Sequence, residues 1–93
     1  LMNADFTGAN LAKAQFRGAR PIAVRFTDAN LTSADFSSAD VGQATFSQAR
    51  LCGAKMLCHR LQDAILDGAI FDDSTQWPDS LDPIERGAVK VVD

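Results

Sequence analysis

The residues of this 93-residue chain best suited to chemistry are its two cysteines, Cys52 and Cys58, and its single histidine, His59. A thiolate beside an imidazole can act as a nucleophile or bind a metal ion. Adjacent residues of an extended segment point to opposite sides, which would separate the Cys58 thiol from the His59 ring. Zinc sites use about four ligands, and these residues supply three. We therefore expect neither a catalytic residue nor a metal site here.

The remaining sequence offers no other set of reactive residues. It contains no paired-carboxylate site, no glycine-rich phosphate loop and no Ser-His-Asp set. Two cysteines are too few for a disulfide framework, so the redox state of Cys52 and Cys58 stays open. We expect a protein that is not an enzyme and has no cofactor and no small-molecule substrate.

Charge is distributed unevenly along the chain. Residues 1–71 carry seven Lys/Arg and six Asp/Glu, whereas residues 72–93 carry two against six. The basic residues are interleaved with acids instead of gathered on one face, which argues against direct nucleic-acid binding. No stretch reaches the ~20 apolar residues of a transmembrane helix, so we expect a soluble protein. The chain begins with Leu1, and its compartment cannot be determined from this end.

Large apolar residues recur every five positions. This period matches neither an α-helix, at about 3.6 residues per turn, nor a strand that alternates every two residues. Alternation survives within a unit such as Ala34-Asp35-Phe36, where the alanine and phenylalanine would face inward and the aspartate outward. The next two positions hold turn-forming residues. Each unit must therefore combine a short extended piece with a bend, and the chain must coil.

The units ADFTG, ANLAK, ADFSS and ANLTS carry the consensus Ala-(Asp/Asn)-(Leu/Phe)-x-x, which resembles the pentapeptide-repeat family over residues 1–71. The resemblance implies an all-β fold, a right-handed quadrilateral β-solenoid with four pentapeptides per coil. About three and a half coils would form here. Residues 72–93 would be a C-terminal capping segment.

Stacking every twentieth residue predicts four inward columns. Two are aromatic and face each other across the core, and smaller side chains lie between them. The fourth column contains Leu1, Pro21, Val41 and Leu61. The predicted core ladder of the other three consists of Phe6, Phe26, Phe46, Phe16, Phe36, Leu11, Leu31, Leu51 and Phe71.

Outward charges alternate in sign along several columns, as in Arg20, Asp40 and Arg60 or in Asp35 and Lys55. Identical positions of neighbouring coils lie ~4.8 Å apart, where like charges would repel. We interpret these columns mainly as ladders that hold the coils in register, with a binding patch as the alternative.

The repeat breaks in two places. Pro21 cannot donate to the ladder and Val24 replaces an alanine, which predicts a local bulge with Ile22 exposed. At the second break, His59 falls on an inward position sized for alanine. Either the coil widens, or the register shifts and the imidazole turns outward. Ile22 and Leu57, both on outward positions, are the candidate contact surface.

The last segment reads as a cap, because an uncovered solenoid end invites edge-to-edge association. We expect Trp77 and Leu81 to fold over the last coil and Asp82 to begin a short helix that ends at Gly87. The run T-x-W-P-x-x-L-D-P is similar to the C-terminal extension of many cyanobacterial pentapeptide-repeat proteins. A cyanobacterial origin would allow the cytoplasm, periplasm or thylakoid lumen. The face at Leu1 to Phe6 has no visible cap, so a homodimer, a partner or missing residues should cover it.

Taken together, these features predict a structural or protein-interaction scaffold whose partner is unknown. The alternative is a DNA mimic that modulates a type II topoisomerase, a function known in the family. Such a mimic needs a long and strongly acidic rod that matches the phosphate spacing of duplex DNA. This solenoid is short and close to neutral, which favours the scaffold.

Overall fold

A computed structural model describes residues 3–92 as a β-solenoid with very short elements. A 3₁₀ helix covers Leu61–Asp63. Strand β1 covers Ile70–Phe71 and strand β2 covers Val89–Lys90. These strands pair in parallel, with Ile70 opposite Val89. The expected β-solenoid is confirmed, and Leu1 lies outside the described residues.

Most of the remaining β-structure consists of single-residue parallel bridges between successive coils. Their dominant spacing is twenty residues, and the chain turns four times within each such interval. Pairs with this spacing are Asp5 with Arg25, Asn10 with Asn30, Gln15 with Asp35, Arg25 with Thr45, Asn30 with Arg50, Asp35 with Lys55, Thr45 with Ile65 and Arg50 with Ile70.

Each corner is a four-residue turn that the next coil also supports. At the first corner, the Ala9 amide donates to the Phe6 carbonyl at 2.9 Å, and Gly8 has φ 72°. Positive φ at the third residue is typical of a type II turn. The Gly8 amide then donates to the Thr27 carbonyl at 2.8 Å, one coil onward. The same left-handed position is held by Lys13 and Ser33 at other corners, although it disfavours side chains.

The Asp or Asn between the two inward residues holds the following turn. The Asp35 carboxylate accepts the Ser37 amide at 2.9 Å, and the Asn30 amide oxygen accepts the Thr32 amide at 3.1 Å. Such side chains bond to their own backbone two residues on. The hydrogen bond with Ser37 lowers the pKa of Asp35, and the positive charge of Lys55 lowers it by a smaller amount. Turn formation, more than the predicted charge ladder, explains why this position holds Asp or Asn.

The core is built around two opposing phenylalanine columns. Within a column the rings stack, with centroids 4.7 Å apart for Phe16 and Phe36 and 5.1 Å for Phe26 and Phe46. Between the columns, Phe26 and Phe36 meet edge to face at 5.6 Å. Both geometries are favourable for aromatic rings. Phe26, Phe36 and Phe46 are fully buried, whereas Phe6 in the first coil is half-buried.

The bulge expected at Pro21 is absent. The Asp40 amide donates to the Ala19 carbonyl at 2.9 Å, and the Thr45 amide donates to the Val24 carbonyl at 3.0 Å, so the twenty-residue register continues on both sides. Pro21 and Val24 are both buried. The prediction of an exposed Ile22 was wrong, because Ile22 is half-buried at this corner.

The C-terminal helix expected from Asp82 to Gly87 is also absent. Residues 83–87 form a run of turns instead. The start and stop residues that the sequence predicts are still in place. The Asp82 carboxylate accepts the Ile84 amide at 3.0 Å at the start, and Gly87 adopts φ 90° at the end. The Arg86 amide donates to the Asp82 carbonyl at 3.3 Å and the Gly87 amide to the Ile84 carbonyl at 3.1 Å, so single turns close without a continuous helix. No helix within residues 3–92 is long and apolar enough to cross a membrane.

We predict that acid weakens the fold through Asp35. Its pKa is lower in the folded state than the ordinary value of 3.8, so its contribution is complete at neutral pH and is lost as pH falls through the folded pKa. Asp35→Asn keeps the acceptor but removes the charge. The variant should lose less stability than wild type between about pH 5 and pH 2, measured by urea unfolding.

The matched control is Asp28→Asn, an exposed acid at a corner whose carboxylate accepts no hydrogen bond among the described residues. Its acid sensitivity should follow wild type. An unchanged acid response in Asp35→Asn would contradict the role assigned to the turn hydrogen bond.

Candidate interaction surface at the carboxyl-terminal end

The second repeat break shifts the register by one residue and then restores it. His59 bridges Asp40, a spacing of nineteen, and the His59 amide donates to the Ala39 carbonyl at 2.7 Å. Arg60 is then inserted with φ 60°, and Leu61 begins the 3₁₀ helix with its side chain buried. Of the two expectations for His59, the register shift is the one that occurs, and its side chain is exposed.

Cys58 takes the inward position that His59 vacates. Its Sγ donates to the Met56 carbonyl at 3.3 Å. Burial raises the pKa of the Cys58 thiol to about 12. A neutral thiol is a poor nucleophile, because the thiolate is the reactive form. Within residues 3–92, no group of three or more His, Cys, Asp or Glu side chains is placed to hold a metal ion.

Arg60 forms a two-bond ion pair with Asp40 on the outer surface beside the break. Arg60 Nε lies 2.8 Å from Asp40 Oδ1, and Nη2 lies 3.0 Å from Oδ2. The hydrogen bond between the two side chains lowers the pKa of Asp40 and raises the pKa of Arg60. Gly42 makes room, since a Cβ there would meet Arg60 Cζ at 2.6 Å. The sequence predicted this charge pair but not the need for Gly42.

The capping segment begins by adding one more rung to the solenoid. Gln76 bridges Lys55 at a spacing of twenty-one residues, because the turn after Phe71 is one residue longer than the others. The buried Thr75 hydroxyl donates to the Leu51 carbonyl at 2.8 Å. The buried Asp72 carboxylate accepts the Gly53 amide at 3.2 Å. These bonds occupy backbone groups that the last full coil would otherwise expose.

Trp77 and Leu81 are both half-buried and pack against the core. The Trp77 ring meets Phe71 edge to face, with centroids 5.4 Å apart. Its indole Nε1 is buried and has no acceptor among the described residues. The ring therefore contributes apolar contact and leaves a hydrogen-bond donor unsatisfied.

Arg86 fastens the end of the capping segment to the 3₁₀ region. Its Nη2 donates to the Gln62 carbonyl at 2.8 Å and to the Ala64 carbonyl at 2.7 Å. The Gly68 amide donates to the Gly87 carbonyl at 2.8 Å, next to the start of β2. Sequence reasoning missed Arg86, because it lies outside the five-residue period and no local pattern marks it.

A cleft of about 360 Å³ opens between the 3₁₀ helix and the capping segment. It lies where the two departures from the regular repeat meet. Residues of both elements line it, among them Cys58, Leu61, Pro78, Leu81, Glu85 and Arg86.

The two candidate contact residues differ in exposure and position. Leu57 is 47% exposed beside the cleft residue Cys58, and its carbonyl accepts the Ser38 amide at 3.0 Å. Ile22 lies at another corner, where its carbonyl accepts the Asn3 amide at 3.1 Å. The structure does not join them into one surface. Sequence reasoning also missed Ile65, which is 48% exposed on a position that faces outward in earlier coils.

We predict that Cys58 alkylates slowly in the folded protein. In a Cys52→Ser background, iodoacetamide at pH 8 should modify Cys58 at least about a hundredfold more slowly than an unperturbed thiol, because so little thiolate is present. Mass spectrometry measures the rate, and the same protein in urea is the control. A folded-state rate equal to the rate in urea would contradict the assigned burial.

We predict that Trp77→Phe is tolerated and that Trp77→Ala is not. Phenylalanine keeps the contact with Phe71 and removes a donor whose unsatisfied burial costs about 1–3 kcal/mol, which offsets the smaller apolar area. Trp77→Ala should lower the free energy of unfolding by about 2 kcal/mol or more. Urea unfolding followed by circular dichroism compares the two, and equal losses would contradict the stabilising ring contact with Phe71.

Comparison with known proteins agrees with this architecture. The family model for pentapeptide repeats matches eight copies, over residues 1–20, 23–48 and 44–75. No curated protein matches the chain. Among solved structures, it is similar to HetL, a pentapeptide repeat protein involved in heterocyst differentiation regulation from the cyanobacterium Nostoc sp. strain PCC 7120. Identity is 23% over 99% of this chain and 37% of HetL, with a TM-score of 0.58.

It is also similar to Rfr23, a pentapeptide repeat protein from the cyanobacterium Cyanothece 51142. Identity is 24% over 84% of this chain and 60% of Rfr23, with a TM-score of 0.50. The chain thus spans less than two thirds of the length of either protein. At these identities the likeness shows the fold alone, whereas the repeat matches cover most of the sequence. The chain belongs to the pentapeptide-repeat family.

Proposed function

We propose that this chain is a non-enzymatic scaffold that binds a protein partner through the corner around Leu57. The observation that carries the proposal is the 47% exposure of this leucine at a corner position that holds Arg17 and Ser37 in the earlier coils. A solenoid wall offers an extended and rigid surface for such contacts. The Arg60–Asp40 ion pair and the exposed His59 beside Leu57 supply a polar rim.

HetL is involved in the regulation of heterocyst differentiation. A regulatory role agrees with an interaction module, and only this class of function is carried over to the chain. The DNA-mimic alternative draws no support from these comparisons. Its charge requirement is also unmet, since residues 1–71 carry seven basic and six acidic side chains.

The proposal includes the finer geometry expected of the family. The chain would form about three and a half right-handed, quadrilateral coils over residues 1–71, and residues 72–93 would cap them through Trp77 and Leu81. The bridge between Gln76 and Lys55 supports this division, because the capping segment starts by completing the last rung.

A second contact is proposed at the opposite end of the solenoid. Phe6 and Leu11 are half-buried there, whereas Phe26 and Leu31, one coil onward, are fully buried. Covering this apolar end favours a homodimer through the N-terminal face. Sedimentation velocity tests this contact, with dimers supporting it and a monomer at all concentrations overturning it.

We predict that Leu57→Asp abolishes capture of the partner in a pull-down from the source organism. The charge would have to be buried in the interface, at a cost that the partner cannot offset. Ile65→Asp is the matched control, because Ile65 has nearly the same exposure, 48%, on a different face.

A partner retained by wild type and Ile65→Asp but lost by Leu57→Asp supports the surface. Equal recovery by all three proteins overturns it. Ile22→Asp tests the other candidate residue in the same assay. Circular dichroism confirms that each variant keeps the β-solenoid.

A further inference from the structure

The cleft beside the 3₁₀ helix is a feature that neither the repeat nor the scaffold function explains. If the regular repeat continued, the next coil would stack on the wall at Val41 and leave no cleft. Here the inserted Arg60 and the 3₁₀ helix move the chain off its regular path, and Pro78 to Arg86 pass over the space left behind. The resulting volume, about 360 Å³, falls at the small end of the range for ligand pockets, about 300–1,000 Å³.

The apolar part of the cleft suits an aliphatic chain. Pro78, Leu81 and the neutral thiol of Cys58 belong to its lining, whereas Leu61 is only 1% exposed and adds almost no surface of its own. A surface of this kind removes methylene groups from water, which favours binding of an aliphatic stem.

The polar part of the cleft suits a positive charge. Asp82 and Glu85 both line it. The Asp82 carboxylate is held in place, because its Oδ1 accepts the Ile84 amide at 3.0 Å. Glu85 forms no ion pair among the described residues, so its carboxylate can meet a ligand. The surrounding residues 72–93 carry six acidic and two basic side chains.

Arg86 also lines the cleft, and its positive charge is the main reason to expect an anionic ligand there instead. Its Nη2 is already engaged by the Gln62 and Ala64 carbonyls, at 2.8 and 2.7 Å. These bonds fix the guanidinium against the solenoid and partly offset its charge. The lining thus has two carboxylates and one guanidinium that already donates to two carbonyls. This balance of charge favours a positively charged ligand.

We propose that this cleft binds an ammonium or guanidinium group carried on an aliphatic stem. A free diamine or agmatine has this chemistry, and so does a lysine or arginine side chain of a protein. In the second case the inference rests on the proposed scaffold function and places a basic side chain of the partner next to Leu57.

Titration of the ¹⁵N-labelled chain with cadaverine and agmatine tests the site. Both probes should give saturable NMR shifts at the amides of Gln62, Ser80 and Leu81, and binding should weaken as salt screens the charges. Pimelate, which has the same five methylene groups between two carboxylates, should give none. Glu85→Gln should weaken cadaverine binding about fivefold, whereas Asp28→Asn, far from the cleft in sequence and on a corner of an earlier coil, should not.

Three results would overturn the inference. They are the absence of saturable shifts at these amides, equal cadaverine affinity in wild type and Glu85→Gln, and tighter binding of pimelate than of cadaverine. A short lysine-containing peptide distinguishes the two sources of the positive group. If the peptide binds more tightly than cadaverine, the ligand is a side chain of a partner protein. If cadaverine binds and the peptide does not, the ligand is a free amine.

The two proposals fail separately. Loss of partner capture by Leu57→Asp with cadaverine binding absent supports the scaffold and overturns the cleft. Saturable cadaverine binding with no partner dependent on Leu57 supports the cleft and overturns the scaffold surface.

Discussion

Parallel stacking with a twenty-residue register is the constraint on which the rest of this structure depends. Each inward side chain lies beside its counterpart in the next coil, and each extended unit hydrogen-bonds to the coils on both sides of it. The phenylalanine columns, the buried alanines and the repeated corner turns all follow from this register. Because each coil contacts mainly its neighbours, stability is approximately a sum of nearest-neighbour terms. Features that depart from the register are therefore tolerated best near an end.

The departures do gather near the C-terminal end, and there they create the surface to which we assign function. The short turn at Leu57 places Cys58 inside and His59 outside, and the extra Arg60 then restores the register. The capping segment then closes the last coil and leaves the cleft between itself and the 3₁₀ helix. The same residues thus end the stack and differentiate this chain from a uniform solenoid. Scaffold binding and ligand binding are both assigned to the part of the molecule where the repeat no longer determines the shape.

The regular part of the fold was predictable from the sequence because its period is explicit. The stacking of Phe16 on Phe36 and of Phe26 on Phe46 follows from counting twenty residues. Counting fails at the second break, since the turn at Leu57 is one residue short and Arg60 restores the lost position. Leu61 returns to the expected column, so the compensated shift shows in the sequence only as a histidine on a position sized for alanine. Pro21 led to the opposite error, a bulge that is absent, because the twenty-residue register continues on both sides of the proline.

The candidate site was predictable only in part. Leu57 was identified as an apolar residue on an outward position, and its exposure agrees with that reasoning. The cleft could not be predicted, since it depends on how far Pro78 to Arg86 pass from the 3₁₀ helix and on the anchoring of Arg86 to two carbonyls. Those are long-range contacts that no local pattern encodes. The most direct test of the twenty-residue register is residue-resolved amide hydrogen exchange of the 93-residue chain. The account predicts slow exchange for the Phe26, Asp35 and Phe36 amides, which donate between coils, and fast exchange for the Asn10 and Gln15 amides, which donate to no described acceptor. Equal protection of Gln15 and Asp35, which occupy the same position one coil apart, would contradict it.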